Sequence, residues 1–468
     1  MENSHVNRLT EGGITSTLVR FAMPYLAANF LQALYGAVDL LVIGWFCDSA
    51  AVSAVSTGTQ ITQIILSLVS GLTMGGTILI AQYVGAGKVE DAVDTISTML
   101  TLFGVVSLGM TVVMLLATYP LLVLMQTPAE AFPYAMDYVL IASAGTVFVV
   151  GYNAVSAILR GLGDSRHPLI FIAISCVCNI VLDLVAVGPL GMAAGGAALA
   201  TIISQGLSLV IAIIYLKRHD FIFDFKLRSF HLHKEKVKSL FKVGIPVSLQ
   251  DTTVHISFMF IAAIVNSMGV VASAAVGIAG KFDAFAMLPP MAFSGAISAL
   301  AAQNIGAGQP ERAKKTLYVS MLLSFGCAVV FFAWAQIAPE TIMLLFQFDP
   351  AVTAAGAEYL RTFSFDFLLV AFAFCFNGFF NGCGCTRYTM INGISTTLGI
   401  RVPLAFLFSI LLPSSLYGIG LAAPVASLVA IVVHVIMLRT PIWRHAAVVK
   451  TDAPAKAVTA SEGVPLEP

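Results

Sequence analysis

Five oxygen-bearing side chains interrupt otherwise apolar stretches in the first half of the chain. Asn179 and Asp183 lie four residues apart, and Tyr35 precedes Asp39 by the same spacing. On a helix, residues four apart share one face. Thr201 stands in a third apolar stretch. A carboxylate near the middle of a lipid-length helix costs roughly 2.5–3.5 kcal/mol even on the lenient insertion scale, so the two aspartates indicate a functional site.

Together these side chains supply the ligands that a hard monovalent cation prefers. Two carboxylates, an amide, a phenol and a hydroxyl could bind sodium at Asp39, Asn179 and Asp183, with Tyr35 and Thr201 contributing. The carboxylates could instead share a proton, because two close carboxylates resist double ionisation. A proton needs only the carboxylates, so the additional neutral oxygens favour sodium, with the proton competing for the same site. The alternative for each residue is a hydrogen-bonded packing role.

The apolar stretches of the second half contain a different, mixed set of charges. Its members are Asp251, His255, Lys281, Asp283, Arg361, Asp366 and Arg401. Because both signs are present, internal ion pairs that hold helices together are one interpretation, and substrate binding is the other. The lone His255 is more typical of a satisfied core residue than of a proton relay.

The composition predicts that membrane-spanning helices position these residues. The chain has 468 residues, of which 58% are hydrophobic and only 10% are charged, and its mean hydropathy is +0.92. Soluble globular proteins are far less apolar. Runs of about 20 apolar residues are long enough to cross a bilayer. Twelve are predicted, at 18–46, 55–84, 93–118, 134–159, 168–187, 194–216, 241–268, 275–302, 314–338, 354–380, 388–412 and 417–438.

Repeated motifs indicate that the chain is an internal duplication. Residues 81–87 read AQYVGAG and residues 302–308 read AQNIGAG, so that Gln82 corresponds to Gln303. The glycines and arginine of residues 161–166 recur at 382–387 with the same offset. Six spans per copy are an even number, so both copies enter the membrane from the same side and the repeat is parallel.

The predicted fold is therefore an all-α integral membrane protein with twelve transmembrane helices in two six-helix lobes, related by a parallel pseudo-two-fold repeat. By the same offset, Arg401 falls near the equivalent of Asn179, so the second lobe presents a cation where the first presents acids.

Polarity and the duplication divide the chain into five predicted segments. Residues 1–17 form a cytoplasmic N-terminal segment, 18–216 the first lobe, 217–240 a basic cytoplasmic linker, 241–440 the second lobe, and 441–468 a disordered cytoplasmic tail. The linker is interpreted as an anchor that faces anionic lipid.

Lysine and arginine residues predict the orientation of the helices. They occur in alternate connections, at Lys88, Arg160, Arg166, residues 217–242, Arg312, Lys314, Lys315, Arg387 and Arg439. The intervening connections, near Asp48, Glu130, Gly188, Ser267, Glu340 and Ser414, contain neither residue type. The positive-inside rule then predicts a multi-pass protein of the inner (plasma) membrane with both termini in the cytoplasm.

In these features the chain resembles a known family, the multidrug and toxic compound extrusion (MATE) transporters. The resemblance covers roughly residues 10–440, and its local signs include two Gly-Ala-Gly turns and the motifs Tyr35-Gly-Ala-Val-Asp39, Arg160-Gly-Leu-Gly-Asp164, Asn179-Ile-Val-Leu-Asp183 and Gly196-Ala-Ala-Leu-Ala-Thr201. The chain looks most similar to the DNA-damage-inducible (DinF-like) branch. That branch implies a first-lobe cation site formed by the acid of span one and the Asn and Asp of span five, with the Tyr of span one and the Thr of span six contributing.

The sodium-pump branch of the family uses a Glu in span seven and an acid in span ten. This chain offers Asp251 but no Glu in residues 250–255, while Asp366 in span ten keeps a second-lobe site open.

The resemblance implies a cation-coupled antiporter, not an enzyme, that exports amphipathic, and in particular cationic, compounds by alternating access. Its expected partners are hydrophobic or cationic small molecules and the lipid bilayer, and the coupling ion, sodium or proton, is the only cofactor expected. The net charge of zero gives no reason to expect nucleic acid binding.

Two other function classes share individual features with the sequence. A lipid-linked oligosaccharide flippase of the same superfamily would need a cation-lined cleft, to which Lys281, Arg361 and Arg401 could contribute. An intramembrane aspartyl protease is suggested only by the G-x-G-D letters that end at Asp164. That aspartate lies between two arginines at a predicted cytoplasmic helix end and has no obvious partner Asp, so the protease is disfavoured.

Overall fold

The computed structural model describes residues 9–219, 221–346, 348–413 and 415–449, and the regular elements in these ranges are helices. The α-helices are α1 (Ile14–Phe46), α2 (Ser49–Gly85), α3 (Val89–Leu124), α4 (Phe132–Ala144), α5 (Thr146–Gly161), α6 (Arg166–Val187), α7 (Ala193–Arg218), α8 (Lys234–Ser267), α9 (Val270–Ala286), α10 (Leu288–Gly306), α11 (Pro310–Ile337), α12 (Pro339–Leu344), α13 (Pro350–Phe363), α14 (Phe365–Gly382), α15 (Thr386–Thr396), α16 (Val402–Leu411) and α17 (Tyr417–Arg439). A π-helical turn, Thr397–Arg401, joins α15 to α16.

Twelve membrane-crossing units can be traced through the described helices. Ten are long and apolar enough to span a bilayer by length and composition, and α4 with α5 adds an eleventh across a bend of 47°. The 37-residue α2 is long enough to cross a bilayer and supplies the twelfth. The predicted all-α fold in two lobes is confirmed, with α1–α7 in the first lobe and α8–α17 in the second.

The backbone repeats the duplication that the motifs predict. The turn after α2 has Gly87 at a φ of 71°, and the turn after α10 has Gly308 at 69°. The turns after α5 and α14 have Gly163 at 88° and Gly384 at 94°. Glycine adopts such angles without the steric cost that a Cβ imposes, so the four glycines are matched in pairs by backbone geometry.

The two lobes are joined where α2 crosses α8 and where α1 crosses α10. A Cβ placed on Gly71 would lie 2.3 Å from the backbone nitrogen of Ser248, and one on Gly75 would lie 3.0 Å from that of Gly244. These crossings are in the halves of α2 and α8 that lead to the Lys-rich and Arg-rich connections, an end of the molecule called here the basic end.

At the basic end, one helix end of each lobe is buried in the hydrophobic core of the other lobe. Leu18 and Phe21 of α1 are buried in a cluster formed mainly by the second lobe, whereas Leu240 and Val243 of α8 are buried in a cluster of the first lobe. Large apolar side chains elsewhere are exposed on the outside of the bundle, including Val270 at 85%. Such a surface fits a lipid environment.

Two predicted segment boundaries are wrong. Helix α8 begins at Lys234, inside the predicted linker 217–240, and the linker is packed: the Ser97 hydroxyl donates a hydrogen bond to the carbonyl of Ser229 at 2.6 Å. Residues 441–449 are also ordered, because the fully buried Trp443 covers the end of the second-lobe core. The rest of the predicted disordered tail and residues 1–8 of the predicted N-terminal segment lie outside the described residues.

Candidate functional site

Helices α1, α6 and α7 bring together all five residues predicted for the first-lobe site. The Thr201 hydroxyl donates a hydrogen bond to Oδ2 of Asp39 at 3.2 Å. The Tyr35 hydroxyl donates to the backbone carbonyl of Thr201 at 3.3 Å. Asn179 and Asp183 of α6 interact electrostatically with the Asp39 carboxyl across the contact between α1 and α6.

Several polar atoms at this site are buried without a hydrogen-bond partner. Asp39 is 5% exposed, and Asn179 and Asp183 are fully buried. Within the described residues, Oδ1 of Asp39, both carboxylate oxygens of Asp183 and both amide atoms of Asn179 form no hydrogen bond. Buried polar groups are normally paired, because desolvation without a partner is costly. The unpaired atoms therefore fit a site for a ligand.

The donor set suits a monovalent cation or a proton. Oxygen atoms are the ligands that hard cations prefer. Among the described residues there is no group of three or more His, Cys, Asp or Glu side chains able to hold a metal ion. The two carboxylates would carry two negative charges in low dielectric if both were ionised, an arrangement that a bound cation or a shared proton relieves.

Sequence reasoning missed three neighbours of this site. Ser175 is fully buried, lies one turn before Asn179 on α6, and has a hydroxyl with no partner among the described residues. Ser204 on α7 is also fully buried, and Tyr138 reaches the site's surroundings from α4, where its hydroxyl is 3.3 Å from that of Thr59. The four-residue spacing from Ser175 to Asn179 could have placed Ser175 on the same helix face as the site. No sequence pattern, by contrast, indicated that α4 would approach the site.

The ion pairs considered for the second lobe differ from those that the described residues form. Arg361 contacts Glu340 at 3.2 Å instead of Asp366, because the chain breaks at Ser364 between α13 and α14 and turns the two residues apart. Lys281 is exposed and lies 5.6 Å from the centroid of the Phe346 ring.

Two further residues of the second-lobe set lie on α8. Asp251 accepts a long hydrogen bond of 3.4 Å from the Ser70 hydroxyl of the first lobe. His255 is exposed, so its interpretation as a core residue is wrong. Asp251 is thus partly buried at the contact between α2 and α8, whereas His255 is exposed.

The remaining three charged residues form a buried cluster in the second lobe. Asp283 of α9, Asp366 of α14 and Arg401 at the end of the π-helical turn are between 5% and 9% exposed. Arg401 interacts electrostatically with both carboxylates, and its guanidinium lies 4.2 Å from the centroid of the Phe258 ring. The Ser427 hydroxyl donates to Asp366 at 2.5 Å.

This cluster is loosely connected. In the part of the chain that the structure describes, no salt bridge within 4.0 Å joins Arg401 to either carboxylate, and Oδ1 of Asp283 has no hydrogen-bond partner. Single π-helical turns occur frequently at functional sites. The second lobe thus contains a charged cluster that differs in composition from the first-lobe site.

Asp164 has a structural role at the start of α6. Its Oδ1 accepts hydrogen bonds from the backbone amides of Arg166 at 2.9 Å and of His167 at 3.2 Å, and its Oδ2 contacts the His167 ring. Burial raises the pKa of Asp164, but the hydrogen bond and charge of His167 and the two backbone amides outweigh it and lower the pKa overall. The structural role of Asp164 in this turn accounts for the G-x-G-D sequence, so the motif gives no reason to assign a protease activity.

Comparison with known proteins decides the family. A family model described as MatE matches residues 24–185 and again residues 246–407. These two segments make up more than half of the chain. The chain belongs to the MatE family. It is therefore a membrane transporter and not an enzyme, while its assignment to the DNA-damage-inducible branch stays a prediction.

Similar proteins span nearly the whole chain. The probable multidrug resistance protein YpnP of Bacillus subtilis (strain 168) is 28% identical over 412 residues, which are 88% of this chain and 92% of that protein. The probable multidrug resistance protein NorM of Thermotoga maritima is 26% identical over 84% of this chain and 85% of its own.

Solved structures share the fold. A MOP superfamily transporter from Pyrococcus furiosus, 23% identical, superposes with a TM-score of 0.89 over 95% of this chain and 100% of its own. An outward-facing multidrug resistance MATE family transporter, 24% identical, gives 0.87 over 93% of this chain and 98% of its own.

The two MatE segments show that the first-lobe site is not duplicated. The first segment begins at Pro24 and the second at Pro246, an offset of 222 residues, whereas Gln82 and Gln303 differ by 221. By either offset an apolar residue replaces each aspartate: Phe260 or Ile261 replaces Asp39, and Leu404 or Ala405 replaces Asp183. Arg401 stands at or next to the equivalent of the site's amide residue. The second lobe of this MatE transporter therefore lacks the paired carboxylates of the first.

Proposed function

We propose that this MatE transporter exports amphipathic, cationic small molecules across the inner membrane in exchange for sodium, with protons competing for the same site. The observation that carries the proposal is the set of buried, unpartnered oxygens on Asp39, Asn179 and Asp183 among the described residues. Multidrug resistance is named for the relatives YpnP and NorM, which supports small-molecule export as the activity.

Sodium is favoured over the proton because neutral oxygens converge on the carboxylates. The carbonyl oxygen of Asn179 and the hydroxyls of Thr201 and Ser175 belong to the same buried region. Neutral ligands of this kind replace water that a metal cation loses on entering low dielectric, whereas a proton needs a carboxylate alone. Ion binding would neutralise the acids and change how tightly α1 packs against α6 and α7.

Alternating access is supported by the distribution of contacts and polar side chains on α2. Near the basic end α2 packs closely against α8, as the approach of Gly71 to Ser248 shows. On the other half of α2, Ser56, Gln60 and Gln63 are exposed at spacings of four and three residues, which place them on one face. A polar, exposed stripe in a membrane helix fits a water-filled cleft. The conformation proposed is open to the outside and closed at the basic, cytoplasmic end.

The second-lobe cluster is proposed to contact the substrate. Asp283 and Asp366 outnumber Arg401, so the cluster favours a cationic or zwitterionic compound, and the exposed Phe258 beside Arg401 adds an aromatic surface. Arg361 pairs with Glu340 at an exposed position, so the cation-lined cleft that a flippase needs loses one of its three candidate residues.

Transport by the purified protein in liposomes tests this proposal. A fluorescent amphipathic cation is followed while a sodium gradient at fixed pH, or a pH gradient at fixed sodium, is imposed at clamped membrane potential. We expect the sodium gradient to accelerate dye exchange, and Asp39→Asn and Asp183→Asn to reduce it to the level of empty liposomes. Asp137→Asn, the same change at an exposed carboxylate of α4, is the control and should exchange dye normally.

The outcomes separate the parts of the proposal. Exchange that follows the pH gradient and ignores sodium contradicts the sodium assignment and leaves the carboxylates as a proton site. Normal exchange by both first-lobe variants contradicts the site. Liposomes that move a lipid-linked oligosaccharide but no dye contradict multidrug export.

A further inference from the structure

Two glutamines at the basic end occupy equivalent positions in the two lobes. Gln82 lies in the last turn of α2 and Gln303 in the last turn of α10, each in the repeated motif that ends with Gly-Ala-Gly. Both side chains are fully buried. Neither belongs to the first-lobe site or to the second-lobe cluster, and a buried polar side chain is kept only where its hydrogen bonds are made.

Each glutamine donates a hydrogen bond across the interface between the lobes. Nε2 of Gln82 donates to the carbonyl of Gly382 in the second lobe at 2.9 Å. Nε2 of Gln303 donates to the carbonyl of Gly161 in the first lobe at 3.2 Å. The two acceptors are themselves equivalent, because the offset from Gly161 to Gly382 equals that from Gln82 to Gln303. A pseudo-symmetric pair of bonds therefore ties the lobes together.

The backbone approaches at the same place are equally symmetric. A Cβ on Gly85 would lie 2.0 Å from the carbonyl oxygen of Gln303, and one on Gly306 would lie 2.1 Å from that of Gln82. Only residues without a side chain allow the ends of α2 and α10 to meet this closely. The glutamines therefore sit where the two lobes are in direct backbone contact.

Each glutamine also accepts a hydrogen bond from an end of the described chain. Oε1 of Gln303 accepts from the backbone amide of Leu9 at 2.9 Å. Oε1 of Gln82 accepts from the backbone amides of Val448 at 2.9 Å and of Val449 at 3.3 Å. The segments before α1 and after α17 thus lie over the seam between the lobes, one on each glutamine.

These segments are anchored mainly to the second lobe. Leu9 is buried in the cluster that contains Trp443, and the carbonyl of Glu11 accepts a hydrogen bond of 2.8 Å from Arg312. On the C-terminal side, Arg444 forms a salt bridge of 2.8 Å with Glu311. Val448, by contrast, packs against the first-lobe core, so the C-terminal segment spans both lobes.

We propose that Gln82 and Gln303 are paired positioning residues that, together with residues 9–11 and 446–449, form a latch that holds the basic end closed. This rests on the proposed alternating access, because the latch must release for the cleft to open at this end. Parting the lobes breaks both amide bonds to Gly161 and Gly382 at once, since each glutamine side chain is held on the opposite lobe. The exposed amide atoms can then be hydrated, so opening requires water to enter the seam.

The opening of the basic end can be measured as a distance. Spin labels are attached through a genetically encoded unnatural amino acid at Glu90 and Lys315, which are exposed at the basic end on different lobes. The native cysteines are left in place. We expect one short distance population for the wild-type protein in liposomes, and a shift towards a second, longer population for the double variant Gln82→Met/Gln303→Met. Gln309→Met makes the same chemical change at an exposed residue of the same end and should show no shift.

A backbone variant tests the contribution of the chain end. Val448→Pro removes the shorter of the two backbone hydrogen bonds to Gln82, whereas Val448→Ala keeps both and shortens only the side chain. We expect the longer population in Val448→Pro and not in Val448→Ala. The comparison of Val448→Pro with Val448→Ala also tests the latch if the double glutamine variant fails to fold.

An unchanged distance distribution in both the glutamine and the proline variants overturns the latch. A shift of equal size in Val448→Ala and Val448→Pro overturns the role of the terminal backbone. Dye exchange is measured on the same samples: a distance shift in the variants combined with no dye transport by the wild type contradicts the proposed function and supports the latch.

Discussion

At the scale of single residues, the main feature of the first-lobe site is that several of its buried oxygens lack hydrogen-bond partners among the described residues. The Thr201 hydroxyl already pairs with one oxygen of Asp39, but the other oxygen and the whole Asp183 carboxylate have no partner among the described residues. A proton could satisfy one carboxylate, yet it would leave the amide of Asn179 unexplained. The choice between the two ions therefore depends on the neutral side chains rather than on the acids.

Substitution of Thr201 tests that choice. Thr201→Val removes the hydroxyl with little change of shape, so we expect the sodium concentration for half-maximal dye exchange to rise roughly tenfold, which corresponds to about 1.4 kcal/mol of lost ligand interaction. Proton-driven exchange should change much less. Thr201→Ser retains the hydroxyl and should behave like the wild type. An equal loss under both gradients would show that Thr201 only packs α7 against α1.

At the scale of helices, the crossing of α2 and α8 determines how closely the two lobes approach. Gly71 meets the backbone of Ser248, and Gly75 meets that of Gly244, so the two helices approach closely only because these positions lack side chains. The broken helices of the second lobe act differently: the break at Ser364 turns Arg361 outward, and the π-helical turn places Arg401 inside. Local irregularities thus decide which charges are buried.

Adding one methyl group at the crossing should separate the helices. We expect Gly71→Ala to destabilise the closed basic end by about 1–3 kcal/mol, since the new Cβ meets backbone atoms that cannot turn aside. The readouts are the melting temperature and the rate of dye exchange in liposomes. Gly104→Ala on α3 makes the same change where nothing lies within 4 Å of the new Cβ, and it should match the wild type. Equal behaviour of the two variants would contradict a tight α2–α8 crossing.

At the scale of the whole molecule, duplication has produced two similar lobes with different chemistry. The helices and turn glycines repeat, and so do the glutamines at the seam. The carboxylates do not, since apolar residues occupy the equivalents of Asp39 and Asp183. We infer that symmetry is retained where the lobes meet and lost at the proposed ion and substrate sites.

The orientation of the molecule is a prediction of the charge pattern. In intact cells, a cysteine introduced at Glu130 should react with a membrane-impermeant maleimide, whereas cysteines at Lys88 and Lys314 should react only after permeabilisation. The background should carry Cys47→Ala, because Cys47 is partly exposed and adjoins the predicted outer connection at Asp48. Labelling at Lys88 or Lys314 in intact cells would show that the basic end faces outward.

The sequence by itself determined the class of protein, the twelve spans and the duplication, and it predicted the five residues of the candidate first-lobe site. These features depend on local properties: the length of apolar runs, the spacing of polar residues within them, and repeated turn motifs. The predicted spans nevertheless differ from the helices at their ends, as at α3, which extends to Leu124 instead of residue 118. Helix ends depend on capping and packing, which hydropathy does not report.

Only the tertiary structure decided which polar atoms meet and which stay unpaired. Tyr138 approached the first-lobe site from α4, Arg361 paired with Glu340, and the predicted disordered residues 441–449 proved to be packed over Gln82. Each of these contacts joins helices or chain ends that are remote or separated by a break, so no spacing rule applies to them. The burial that leaves Asp183 without a partner among the described residues likewise arises only when α1, α6 and α7 come together, because desolvation is a property of the packed helices and not of the residue.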